Sequence, residues 1–159
     1  MEFYTIDVYN SNEQEFFDKL TRNVIDTFCD IRQRRGVRGS KYSFVNSNKL
    51  QHRLGELDIK YAHIADLAPT TAIRDLQKQA DSEKRELKSQ RQTLGDIFIS
   101  EYKTQILDQF NFEEFLGNLE RIGVSRVVLF CVEENAEACH RSIVASKLME
   151  SYRYEIVNL

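Results

Sequence analysis

Apolar runs of strand length, alternating with amphipathic stretches of helix length, are what most constrain this chain. Strands connected through helices run parallel, in a sheet that helices cover on both faces. β-Branched and aromatic residues concentrate in 3–9, 24–31, 59–64 and 126–132, with a short fifth run at 154–159. Helical patterns fall between them. Ser11, Asn12, Glu13 and Gln14 carry capping-box spacing ahead of Phe16, Phe17 and Leu20. Leu50, Leu54 and Leu57 mark a second helix, and Ile143, Val144 and Leu148 mark a last one. The fourth run, Val-Val-Leu-Phe-Cys, has no polar face, as the centre of a parallel sheet requires. The expected fold is therefore a three-layer, Rossmann-like α/β architecture of about five mostly parallel strands.

Between the third and fourth runs lies an excursion of about sixty residues, 68–123, far beyond the roughly 10–12 that a crossover needs. It reads as helical throughout. Residues 73–94 are mostly Lys, Arg, Glu, Asp and Gln, which favours a solvated helix over a lid or a partner surface of the same composition. Phe98, Tyr102, Ile106 and Phe110 recur at i+4 as a core-facing stripe, and Asn111 with Glu114 caps a further helix bearing Phe115 and Leu119. With no internal repeat and no linker-like stretch, a single domain over 1–159 is expected.

Lys and Arg total 22 against 25 Asp and Glu, a net charge of -3, which excludes a generally basic nucleic-acid coat. Any anion site must come from local clustering. The longest uncharged apolar run, 127–132, is far short of the ~20 residues of a membrane helix, so a cytoplasmic protein with no membrane partner is expected. Three cysteines, Cys29, Cys131 and Cys139, are too few for a disulfide framework, and reduced thiols are the default.

Ligands of parallel sheets bind beyond the carboxyl ends of the strands, and two unusual segments fall there. After the second strand, residues 30–42 hold Asp30, the five cations Arg32, Arg34, Arg35, Arg38 and Lys41, and the glycines Gly36 and Gly39. So many cations repel one another unless an anion or carboxylates neutralise them, and arginine's planar fork suits phosphate. Arg32, Arg35 and Arg38 are thus candidate anion ligands, with Asp30 as a base or an orienting partner. The competing reading is a solvated loop paired with acidic helices. Tyr42 and Phe44 either stack on a base or anchor the loop to the core, and anchoring is favoured.

After the fourth strand, Cys131 and Glu133 lead to Cys139, His140 and Arg141 at the start of the last helix. A thiol near a helix amino terminus and beside Arg and His is biased towards thiolate, which makes Cys139 a candidate nucleophile or redox-sensitive group. His140 projects about 100° further round a helix and is expected to serve a different partner. Arg141 joins the anion ligands, and Cys131 is expected as a buried strand-end thiol. A zinc site of Cys131, Cys139, His140 and His63 is the weaker alternative, because seven residues separate the cysteines and adjacent helical residues point apart. No metal is therefore assigned. Cys29 and Arg35 have the C-x5-R spacing of a thiol phosphatase loop, but Asp30 follows the thiol directly and the intervening residues lack glycine.

These segments carry a resemblance. Asp30-Ile31-Arg32, then Arg34-Arg35-Gly36-Val37-Arg38-Gly39 with Tyr42, Phe44 and Asn46, then Leu67-Ala68-Pro69-Thr70 with Ile73-Arg74 and Gln77, and finally Cys131, Glu133 and Cys139-His140-Arg141 are involved. Over nearly its whole length the chain resembles an uncharacterised bacterial and archaeal family, domain of unknown function four-eight-eight. The resemblance implies an α/β fold in which the Asp-x-Arg loop and the Cys-His-Arg helix start converge on one cleft, and it supplies no reaction. The family is usually apolar at the position of Cys29. Its common opening Thr-Ile-Gly-x-Ser is replaced here by Thr5-Ile6-Asp7-Val8-Tyr9, which argues against phosphate binding by the first loop.

The leading expectation is an enzyme for an anionic, phosphate-containing substrate, a nucleotide or nucleic-acid derivative, with Cys139, His140 and Asp30 in the chemistry. The alternatives are a non-catalytic nucleotide or nucleic-acid binding module, and a protein whose charged helix docks a partner or a second copy in a homodimer.

Overall fold

The computed structural model describes residues 1–9, 11–84, 94–132 and 139–159. Five strands form one sheet: β1 (Glu2–Ile6), β2 (Thr27–Asp30), β3 (Lys60–His63), β4 (Arg126–Phe130) and β5 (Ile156–Asn158). The order is β3-β2-β4-β1-β5 and every neighbouring pair is parallel. As the unbroken apolar run requires, β4 is central and its Val127, Val128, Leu129 and Phe130 are fully buried. Each strand is shorter than its apolar run, because the ends of those runs leave the ladder to build loops.

Helices α1 (Glu13–Arg22) and α2 (Ser47–Glu56) cover one face. There Phe16, Phe17, Leu20, Leu50 and Leu54 pack on Tyr4, Ile6, Phe28, Val128 and Phe130. The capping box of α1 lies one residue later than expected: Asn12 Oδ1 accepts from Glu15 N at 2.9 Å and Glu15 returns the bond to Asn12 N at 2.9 Å. Phe16 is the hub of this face, its ring within 5.6 Å of those of Phe17, Phe44 and Phe130.

The other face carries the excursion and the last helix, as expected for an insertion between β3 and β4. It comprises α3 (Thr71–Lys84), α4 (Asp96–Tyr102), α5 (Phe112–Arg121) and α6 (His140–Tyr152). Ile73, Phe98, Tyr102, Leu107, Leu116, Leu119, Ile143, Val144 and Leu148 pack there on Phe3, Cys29, Val127 and Leu129. Asn111 caps α5 through Glu114 N at 3.0 Å. The i+4 stripe holds for Phe98 and Tyr102 and then slips. A turn of π-helix, Lys103–Leu107, follows α4 and admits one extra residue, so Leu107 is buried while Ile106 and Phe110 are only partly covered. No described helix is long and apolar enough to cross a membrane.

Helices leaving β1 and β2 lie on one face and the helix leaving β4 lies on the other, so the carboxyl end of β4 is flanked by diverging connections. That is where open α/β sheets form ligand crevices. The core hub gives a test: Phe16→Ala should cost about 3–5 kcal/mol in urea denaturation, whereas Ile97→Ala, at an exposed site, should change stability by less than about 0.5 kcal/mol.

Candidate functional site

The ladder hydrogen bonds run on past the strands and fix the backbone at the carboxyl edge. Ile31 N donates to Phe130 O at 3.3 Å, Ile64 N to Asp30 O at 2.9 Å, and Cys131 N to Ile6 O at 3.4 Å. Within this frame the segment Asp30-Ile31-Arg32 holds groups on both sides of the sheet.

On the α1/α2 side, Asp30 is fully buried and Arg32 is 3% exposed. Arg32 Nε and Nη2 grip the two carboxylate oxygens at 2.8 and 2.7 Å, and Nη2 also donates to Val45 O at 3.0 Å. The guanidinium lies 4.5 Å above the Phe130 ring. Tyr61 from β3 donates to Asp30 Oδ2 at 2.9 Å, and Arg35 approaches the same phenol from the loop. Burial raises the Tyr61 pKa, the bond from Arg35 opposes that, and Asp30 adds to it. Asp30 is therefore placed as the orienting partner of Arg32 rather than an open base. Arg32 Nη1 is buried with no hydrogen-bond partner among the described residues.

The rest of the cationic loop faces outward, with Arg34 and Arg38 exposed and Arg35 half-buried. Two bonds tie it to the start of α2: Val37 N donates to Asn46 Oδ1 at 2.7 Å, and the Arg35 carbonyl accepts from Ser47 N at 2.9 Å. Gly39 takes a φ of 80°, a turn that a side chain would strain. Tyr42 packs against Tyr9 at 5.3 Å and Phe44 at 6.4 Å, the anchoring contact expected of it.

On the α3–α6 side, Cys131, Cys139 and His140 converge and all three are buried. His140 Nε2 donates to Ile31 O at 2.9 Å, which leaves the Nδ1 lone pair facing Cys131 Sγ at 3.7 Å and Cys139 Sγ at 3.8 Å. The expectation that adjacent Cys139 and His140 diverge is corrected here. Cys139 is the N-cap of α6 with φ -132° and ψ 142°, extended rather than helical, so the 100° helical step does not apply to this pair. Tyr102 meets the imidazole edge-on at 5.6 Å and donates to Leu67 O at 2.5 Å. Arg141 is 2% exposed and approaches Asp7, just past β1, at 3.5 Å.

His63 does not join the thiols; its Nε2 donates to Arg32 O at 2.9 Å. Glu133 lies outside the described residues. Cys29 is a core residue: burial first, then the charge of Asp30, pushes its thiol up to about 12. Sequence reasoning missed Asp7, Tyr61 and Tyr102. Tyr61 had a signal, since it alternates with His63 on one strand face. An open hollow between α1 and α2, lined by Glu13, Phe44, Lys49, His52 and Arg53, contains none of the candidate catalytic or anion-binding residues.

Two outcomes follow. Arg32→Ala leaves a buried carboxylate without its countercharge and should cost about 3–5 kcal/mol in chemical denaturation, while the apolar double replacement Asp30→Leu, Arg32→Met should cost less than the single change. The thiol of Cys29 ionises near 9.0 when unfolded and near 12 when folded. Its contribution to stability is therefore present below about pH 9 and is lost as pH rises towards 12; Cys29→Ala should flatten that part of a stability-against-pH curve.

The sequence profile of the family described as domain of unknown function DUF488 matches residues 12–148. No curated protein and no solved structure matches the chain. The match spans the Asp30–Arg32 pair, the arginine loop and the thiol–imidazole cluster, and it leaves out Asp7 and β5. With most of its length matched, the chain belongs to the DUF488 family.

Proposed function

We propose that this protein is an enzyme acting on an anionic, phosphate-containing substrate, a nucleotide or nucleic-acid derivative, at the carboxyl end of β4. The observation that carries this reading is an imidazole held at one nitrogen by the Ile31 carbonyl, one residue before Arg32, with its other nitrogen facing two thiols. A buried, oriented imidazole next to sulfur is a reactive arrangement, and core packing alone does not call for it.

Cys139 and His140 form the reacting end in this reading. Arg35 and Arg38 at the rim collect the anion, and Arg141, at the amino-terminal turn of α6, adds charge where a helix end already favours it. The pair of Asp30 and Arg32 positions the loop and carries the unsatisfied Nη1 donor. The net charge of -3 is no obstacle, since the loop concentrates its cations in a dozen or so residues.

The full chain would be screened against nucleoside phosphates and short oligonucleotides, with products followed by chromatography and binding followed at low salt. Turnover should disappear in Cys139→Ser and His140→Gln, with melting temperatures close to the parent. Arg38→Ala should raise KM about tenfold with kcat unchanged, the loss of roughly one charge-assisted hydrogen bond. Full turnover in Cys139→Ser, or neither turnover nor binding anywhere in the set, overturns the proposal.

A further inference from the structure

The geometry points to a zinc site formed by Cys131, Cys139 and His140. Their donor atoms, two Sγ and His140 Nδ1, lie within 4.8 Å of one another and all three residues are buried. Tetrahedral zinc, with Zn–S of about 2.3 Å and Zn–N of about 2.0–2.1 Å, holds sulfur and nitrogen ligands about 3.6 Å apart. The two Sγ to Nδ1 separations are 3.7 and 3.8 Å, within a few tenths of an ångström of that distance, and the two sulfurs, no more than 4.8 Å apart, would close to about 3.8 Å around the cation.

The imidazole is already in the tautomer that a metal needs. Its Nε2 proton is committed to the Ile31 carbonyl at 2.9 Å, and the Nδ1 lone pair points at both sulfurs. Metal-ligating histidines are typically held in this way through their second nitrogen. Tyr102, packed edge-on against the ring and tied to Leu67 O, prevents the imidazole from turning away. One lone pair faces two sulfurs, and a cation among the three serves all of them at once.

Chain spacing spoke against this site because knuckle-type zinc motifs place cysteines two to four residues apart. That rule describes ligands within one turn. Here Cys131 directly follows the central strand and Cys139 precedes a helix, and the fold itself brings them together. Two thiolates and one imidazole select zinc over magnesium or calcium, which prefer oxygen. Among the described residues no fourth His, Cys, Asp or Glu reaches the group, and three protein ligands are the number that catalytic zinc sites use. The inference deepens the enzyme reading and rests on it for the chemistry of the fourth position, though not for binding.

The test uses the full chain, stripped with chelator and reloaded with zinc or with cobalt as a spectroscopic probe. Elemental analysis should give one zinc per chain, and cobalt should give a sulfur-to-metal charge-transfer band with the intense visible bands of a tetrahedral site. Cys131→Ser and Cys139→Ser should each cut the charge-transfer band to roughly half, one of two thiolates being gone. His140→Gln should weaken zinc by more than the ~10–100-fold that follows loss of an outer partner, and Cys29→Ala should change nothing. Wild-type protein that takes up no stoichiometric zinc and shows no cobalt bands, or variants that bind as the parent does, overturn the site without any appeal to variant stability. Zinc bound with no turnover of phosphate compounds sinks the enzyme reading alone. Turnover that needs Cys139 in protein that takes up no zinc sinks the metal site alone.

Discussion

The buried pairing of Asp30 with Arg32 is the interaction on which the carboxyl edge of the sheet depends. Two charges removed from water at the end of β2 are tolerated because the fork of Arg32 meets both carboxylate oxygens and because Tyr61 and Val45 O take up further hydrogen-bonding capacity. Once that pair is set, the intervening peptides are fixed in direction. The Ile31 carbonyl is aimed at His140 and the Arg32 carbonyl at His63. Three consecutive residues thus orient an ion pair on one side of the sheet and an imidazole on the other.

Placement of these groups follows from topology. Asp7, Asp30, His63 and Cys131 each sit at or just past the carboxyl end of a different strand, and Arg141 starts the helix that follows β4. In a parallel sheet such positions gather along one edge whatever their separation in sequence. A chain of mildly acidic average composition can therefore hold exposed arginines after β2 and buried thiols after β4 at the same edge of one sheet.

Much of this was legible in the residues. The unbroken apolar run of β4, the alternation of strands with helices and the excess length before residue 126 fix an α/β sheet with an insertion, and the Asp-x-Arg and Cys-His-Arg segments stand out locally. Side-chain direction at a helix boundary was not legible. A helical step applied at Cys139 sends its thiol away from His140, whereas the extended N-cap residue turns it back. The Asp7–Arg141 contact spans 134 residues and no local pattern announces it. Likewise, the i+4 stripe could not show that one extra residue enters the helix after Tyr102.

That extra residue ties the insertion to the site. The π-turn lets one continuous helix present Tyr102 to the imidazole and, a turn later, Leu107 to the core, two directions that an unbroken α-helix would not satisfy together. The segment from 98 to 107 therefore acts as a fixed-length spacer. Insertions or deletions that a surface connection would absorb would here rotate either the phenol away from His140 or the leucine out of the core. Such a chain can vary the exposed positions of α3 while the number of residues in this one turn stays constant.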